Sequence, residues 1–127
     1  MRVITKTEAC GPAPDGDLEY FTGHVTHLRL HAPDGAHPSN VSVVRFDCGV
    51  RGSWHTHSGG QVVHVLEGEG LVQARGEPVV RLRPGDTVCL DAGEEHWHGA
   101  ASGSELAHMA ISWGSIDWLG PAPAGAP

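Results

Sequence analysis

The sequence predicts an all-β domain, a barrel or a sandwich, on three observations. Runs of four to eight residues rich in Val, Ile and Leu recur along the chain; Gly, Pro and Asp separate them; and no long stretch repeats apolar residues at a helical period. At 127 residues there is room for one hydrophobic core and one domain.

Seven runs carry the strand signal: residues 25–30, 40–47, 61–66, 71–74, 79–82, 87–90 and 106–111. They are rich in Val, Ile and Leu, as a pleated, half-buried surface favours. The punctuation is Ala32-Pro33-Asp34-Gly35, Glu67-Gly68-Glu69-Gly70, Arg75-Gly76-Glu77-Pro78 and Arg83-Pro84-Gly85-Asp86, all turn chemistry. Short strands also fit around His55 and from His96 onward. Only 115–119 reads as a possible helical turn. The domain is expected over residues 1–119, with 120–127, built of Gly, Pro, Ala alone, as a disordered tail.

Composition excludes several classes. Hydrophobic residues make up 39 % and the formal net charge is −7, with Lys6 the only lysine. An acidic chain without a basic cluster is a poor ligand for nucleic acid or anionic membranes. No run approaches the ~18 apolar residues of a membrane span, and residues 1–10 lack the apolar core of a signal peptide. The expectation is a cytoplasmic protein. Cys10, Cys48 and Cys89 are odd in number and widely spaced, which suits free thiols in a reducing compartment. Ten histidines are far more than such a chain needs for packing.

Two segments concentrate the chemistry. In Trp54-His55-Thr56-His57-Ser58-Gly59-Gly60-Gln61, His55 and His57 stand two apart, so on a strand both rings point to one face. Ser58-Gly59-Gly60 turns the chain, and Gln61 opens the next strand with its amide directed at the same point. Such a pair of histidines alone is a weak signal. The second segment runs from Pro84 to His98: a turn, a strand at 87–90, another turn, then His96 with His98 on one face. His96 brings a third imidazole from a separate hairpin. Imidazole is the commonest ligand for borderline divalent ions. The expected metal ligands are therefore His55, His57, Gln61 and His96, holding one divalent ion.

These residues stand at family spacings. Gly49, His55, His57, Gln61 and Gly68 resemble the first cupin motif, and Gly85, Asp91, Ala92, Gly93, His96 and Ala100 resemble the second. Gln61 replaces the usual glutamate, Asp91 the usual proline and Ala100 the usual asparagine. The resemblance implies a cupin domain, a double-stranded β-helix or jelly-roll barrel, with its motifs at 49–68 and 85–100. Tyr20-Phe21-Thr22-Gly23, Trp54-His55-Thr56-His57, the run from Glu94 to Ala101, His108-Met109-Ala110-Ile111 and Asp117-Trp118 resemble more closely the small bacterial cupins that act as manganese-dependent hydroxynitrile lyases. There too a glutamine takes the glutamate's place.

That resemblance implies Mn2+ as the ion, with Fe2+, Ni2+ or Zn2+ as alternatives, and His98 and His108 as pocket residues beside it. A buried histidine near a cation stays neutral and can serve as a base, so His98 and His108 are the candidate catalytic residues. Three imidazoles and a neutral amide leave the charge of the ion uncompensated, which favours Lewis-acid chemistry. The two-histidine, one-carboxylate set of iron oxygenases is absent. The expected function is cyanohydrin cleavage or synthesis. The alternatives are an iron- and oxygen-using cupin dioxygenase, or a metal-stabilised binding module, isomerase or cyclase. The partner is a small-molecule substrate, and a homo-oligomer, dimer or tetramer, is expected, since Val41 and Val43 oppose Val44 and Phe46 on a strand apolar on both faces. Trp54 and Trp97 are expected to pack, Cys89 to lie in the core, and His64 to lie in the core or an interface. His24, His27, His31 and His37 are expected at the surface, although His24 could face the barrel. Glu94 and Glu95 are expected to be solvated.

Overall fold

A computed structural model of the chain describes residues 1–9 and 19–123. Ten strands follow one short helix, α1 (Lys6–Ala9): β1 (Val25–His31), β2 (Ser39–Phe46), β3 (Trp54–His57), β4 (Gln61–Gly68), β5 (Gly70–Ala74), β6 (Val80–Leu82), β7 (Thr87–Leu90), β8 (His96–Ala100), β9 (Leu106–Trp113) and β10 (Ile116–Gly120). They form two antiparallel five-stranded sheets, ordered β1-β2-β9-β4-β7 and β10-β3-β8-β5-β6. The expected all-β jelly roll is what forms. Among the described residues, no helix is long and apolar enough to cross a membrane.

The register explains the interior. On β4, Gln61, Val63 and Val65 are buried while Val62, His64 and Leu66 are not. Across the sheet, His108 of β9 stands opposite both Val44 and Val65, and Ser112 opposite both Asn40 and Gln61. The inward row therefore passes from polar to apolar along the strands. Val25, Val44, Phe46, Val63, Val65, Leu90 and Leu106 form the packed core. A second cluster, Trp54, Leu71, Trp97 and Ala101, packs elsewhere on the other sheet. There the Trp97 indole N–H donates to Gln73 Oε1 at 2.9 Å, and the Arg75 guanidinium lies 4.1 Å from the Trp54 ring centroid. Both tryptophans pack, as expected.

Gly68 closes the first motif with a positive φ of 75°. A Cβ there would collide with the backbone carbonyl of Glu105, so the turn needs glycine for space as well as for conformation.

Four expectations are corrected. Residues 115–119 do not form a helical turn: β10 runs through them and pairs with β3, Ile116 opposite His57 and Trp118 opposite His55. Without β10, β3 would present an unpaired edge, and pairing with it satisfies the backbone of 116–120. Near the C-terminus, Gly120 still pairs with Trp54 and the Pro123 carbonyl accepts from the Arg51 guanidinium at 2.9 Å; the rest of the tail, 124–127, lies outside the described residues, as does Cys10. Cys89 is exposed, because Val88 and Leu90 take the inward positions of β7. His27 is not a surface residue: it stands opposite Val44 and faces the barrel cavity. The helix α1 was not foreseen. Thr5 Oγ1 caps it by accepting the Glu8 N–H at 3.3 Å.

Candidate metal centre

Strands β3, β4, β8 and β9 bring six candidate side chains into the barrel. His55, His57, Gln61, His96, His98 and His108 are all buried. A ring nitrogen from each of His55, His96 and His98 lies within 4.8 Å of the others. The His57 ring lies 5.1 Å from that of His55 and 5.6 Å from that of His96, centroid to centroid. His108 sits one step further along, 5.0 Å from the His98 ring. The structure thus gathers every residue that the sequence placed in the site. The tightest grouping includes His98 and leaves His57 at its edge.

Hydrogen bonds fix the tautomers. His55 Nδ1–H donates to the Ser53 carbonyl at 2.8 Å, and His96 Nδ1–H donates to the Glu94 carbonyl at 2.9 Å. A neutral imidazole carries one proton, so each presents a lone pair at Nε2. Such a backbone partner is the usual companion of a metal-binding histidine.

His96 Nε2 also lies 3.2 Å from Gln61 Oε1. Both atoms are acceptors there, so two lone pairs face each other in a dry interior, and a cation between them would relieve that contact. Donor atoms 2.0–2.2 Å from a shared ion lie roughly 3–3.5 Å apart. His57 Nε2 is buried with no partner among the described residues. This donor set fits a borderline divalent ion.

His98 is arranged differently. Its Nε2–H donates to Gln61 Oε1 at 3.1 Å. Its Nδ1 then carries the lone pair and is buried without a partner, as is His108 Nε2. Phe46 holds both rings edge-on, at 6.4 Å from His98 and 5.2 Å from His108.

Burial depresses the basicity of all five rings. Desolvation pushes His55 down to about 3, with the neighbouring His96 adding to it. It lowers His57 to about 4 and His108 to about 3, holds His98 well below its ordinary value, and lowers His96. All five are neutral at pH 7, as ligands and bases must be.

The cavity beside them measures about 250 Å³. Phe21, Val44, Phe46 and Trp118 supply its apolar wall, and Arg29, Asn40, Ser42 and Ser112 a polar side. Trp118 stacks on Tyr20 at 4.4 Å and reaches within 4.8 Å of the His55 ring. Sequence reasoning missed His27, which also lines this cavity. Alternation with Val25 along β1 is the signal that could have found it.

The remaining expectations divide. His24 is exposed beside Asp47 at 3.3 Å. His64 is half-buried on the outer face of its sheet and bonded to Thr87 Oγ1 at 2.8 Å. Glu94 and Glu95 are half-buried: Glu94 accepts the Asp91 N–H at 3.1 Å and Glu95 pairs with Arg75 at 2.6 Å.

The family model described as a cupin domain matches residues 42–112. An (R)-mandelonitrile lyase from Granulicella tundricola is 39 % identical over 123 residues, covering 93 % of this chain and 89 % of that protein. The crystal structure of a cupin-like protein from Thermotoga maritima superposes with a TM-score of 0.85 at 38 % identity, over 88 % of each chain. A second Thermotoga maritima structure, described as a predicted oxalate decarboxylase, gives 0.74 at 21 % identity over 93 % of this chain and all of that one, which speaks to the fold alone.

Proposed function

The chain belongs to the cupin family, and on that premise we propose that it is a lyase that cleaves and forms cyanohydrins with the help of a divalent metal ion. The fold, the buried histidines and the mandelonitrile lyase relative support a metal-type cupin enzyme acting on a small molecule. The observation that carries the finer reading is a division among the imidazoles. His55 and His96 offer Nε2 lone pairs backed by carbonyls and His57 an unpaired Nε2 next to them, whereas His98 gives its Nε2–H to Gln61 and His108 stands one ring further on, each keeping an unpaired nitrogen of its own.

In this reading His55, His57, Gln61 and His96 hold the ion. When bound, Mn2+ supplies Lewis acidity, a fixed positive charge where negative charge develops on oxygen. His98 Nδ1 or His108 Nε2 takes the proton of the cyanohydrin hydroxyl. The bond from carbon to the nitrile breaks, its electron pair leaves with cyanide, and the oxygen closes the aldehyde C=O. The imidazolium returns its proton to cyanide, so no redox change occurs. Depressed basicity keeps both rings neutral at pH 7, so each has a lone pair for that proton. Phe21, Phe46 and Trp118 provide apolar contact for an aryl or alkyl group, and a cavity of about 250 Å³ admits only a small substrate.

Racemic mandelonitrile offered to manganese-loaded protein tests the reading through benzaldehyde release, read by ultraviolet absorbance. Release well above that of chelated protein is expected. Equal release would leave the family assignment and remove the lyase.

The same reading includes a cytoplasmic homo-oligomer, dimer or tetramer. Val41, Val43, Val62, Met109 and Ile111 lie only half-buried on the outer face of the β1-β2-β9-β4-β7 sheet. Apolar surface of that kind favours association. Sedimentation as a monomer alone would contradict it.

A further inference from the structure

β1 and the turn that follows it carry three histidines and an aspartate, His27, His31, Asp34 and His37, and only His27, within β1, lines the cavity. The other three converge. His31 Nε2 lies 3.5 Å from Asp34 Oδ2, and His37 Nδ1 lies 3.4 Å from Asp34 Oδ1. One donor atom from each of the three lies within 4.8 Å of the others.

The group is held in place by its own loop. His31 Nδ1–H donates to the Ser39 carbonyl at 2.7 Å, which leaves the lone pair on Nε2, the atom turned to Asp34. Asp34 Oδ1 accepts the Ala36 N–H at 2.9 Å and the His37 N–H at 2.7 Å. The Asp34 N–H donates to the His37 carbonyl at 2.9 Å and closes the turn. A backbone carbonyl behind an imidazole is a support that metal-binding histidines use, and backbone N–H groups fix the carboxylate between the two rings. Side-chain exposure is 19 % for His31, 41 % for Asp34 and 69 % for His37, so an ion could enter from solvent.

We propose that His31, Asp34 and His37 form a second metal site, distinct from the barrel centre, for a late first-row divalent ion such as Zn2+, Cu2+ or Ni2+. Two imidazoles and one carboxylate are the ligand set such ions take, with water filling the open positions. Donor atoms about 2.0–2.2 Å from a tetrahedral zinc stand roughly 3.3–3.6 Å apart, and each imidazole stands at that spacing from one Asp34 oxygen, His31 from Oδ2 and His37 from Oδ1. The ion clips His31, the last residue of β1, to His37, just ahead of β2. It thereby braces a loop whose Pro33 lines the cavity. The site stands whether or not the lyase reading does.

The test counts zinc. Untagged, metal-free protein is dialysed against Zn2+, and bound zinc per chain is measured for the wild type, for His31→Ala/His37→Ala and for Asp34→Asn. The asparagine keeps an oxygen for the turn and removes the charge. The double variant is expected to bind one equivalent fewer than the wild type, and Asp34→Asn to bind that equivalent at least about tenfold more weakly. Equal zinc content in the wild type and the double variant overturns the proposal. A wild type with one equivalent and a double variant with none would support the loop site while removing the barrel site for zinc.

Discussion

The barrel and the β1–β2 loop each gather histidines, by opposite physics. In the barrel, His55, His57, His96, His98 and His108 sit on strands and are removed from water, and desolvation makes them neutral. On the loop, His31 and His37 flank a carboxylate and keep contact with solvent. Position in the sheet decides which kind of site a histidine can build. Alternation along β3 and β8 turns paired imidazoles inward together, whereas the loop relies on a three-residue spacing and on hydrogen bonds from its own backbone. The buried set stands beside the cavity in which the proposed proton chemistry would run. The exposed set can hold an ion but offers no enclosure for a substrate.

The largest expected effect is on the barrel ligands. His55→Ala or His96→Ala should weaken metal binding by at least about 100-fold and abolish turnover, as measured by bound manganese after dialysis. Full metal content in either variant would break the comparison at its root. Next is His108→Gln, which should keep the metal and lower kcat by about 10²–10⁴-fold; unchanged kcat would return His108 to a packing role.

Acid should separate the two regions further. The folded-state values of His55 and His57, about 3 and about 4, lie below the ordinary 6.5. Between those limits the unfolded chain binds protons that the folded chain refuses, so stability is full above pH 6.5 and falls as the pH drops toward 4 and then 3. Each ring contributes on the order of a few kcal/mol across that window. Metal-free protein should therefore lose denaturant resistance progressively below pH 6.5, and a flat profile from 6.5 to 4 would contradict the burial account. The smallest effect belongs to the loop. His31→Ala/His37→Ala should change stability at pH 7 by no more than about 0.5 kcal/mol. A larger loss in urea denaturation would mean the loop supports the core.

Much of this was legible in the sequence because the barrel is built on alternation. The pairs His55/His57 and His96/His98, each two residues apart, gave both the strand and the inward face. The turns around Gly68 and Gly85 gave the hairpins. Legibility failed where a strand is apolar on both faces. In β1, the inward face belongs to Val25 and His27, while Leu28 and Leu30 lie half-buried on the other. In β7, Cys89 reads as core until its neighbours Val88 and Leu90 take the interior. β10 was hidden because what makes it a strand is the open edge of β3, far away in sequence. The loop cluster was missed because a His-x-x-Asp-x-x-His spacing in a turn converges only once the turn is folded.

The central claim is that the barrel imidazoles divide between ligands and bases, although His98 stands as close to His55 and His96 as a ligand would. Manganese content and turnover per bound ion in His57→Ala and in His98→Gln test it most directly. The account predicts that His57→Ala loses the ion, whereas His98→Gln keeps one per chain and loses turnover. Loss of the ion from His98→Gln with full retention in His57→Ala would contradict it and exchange the roles of the two residues.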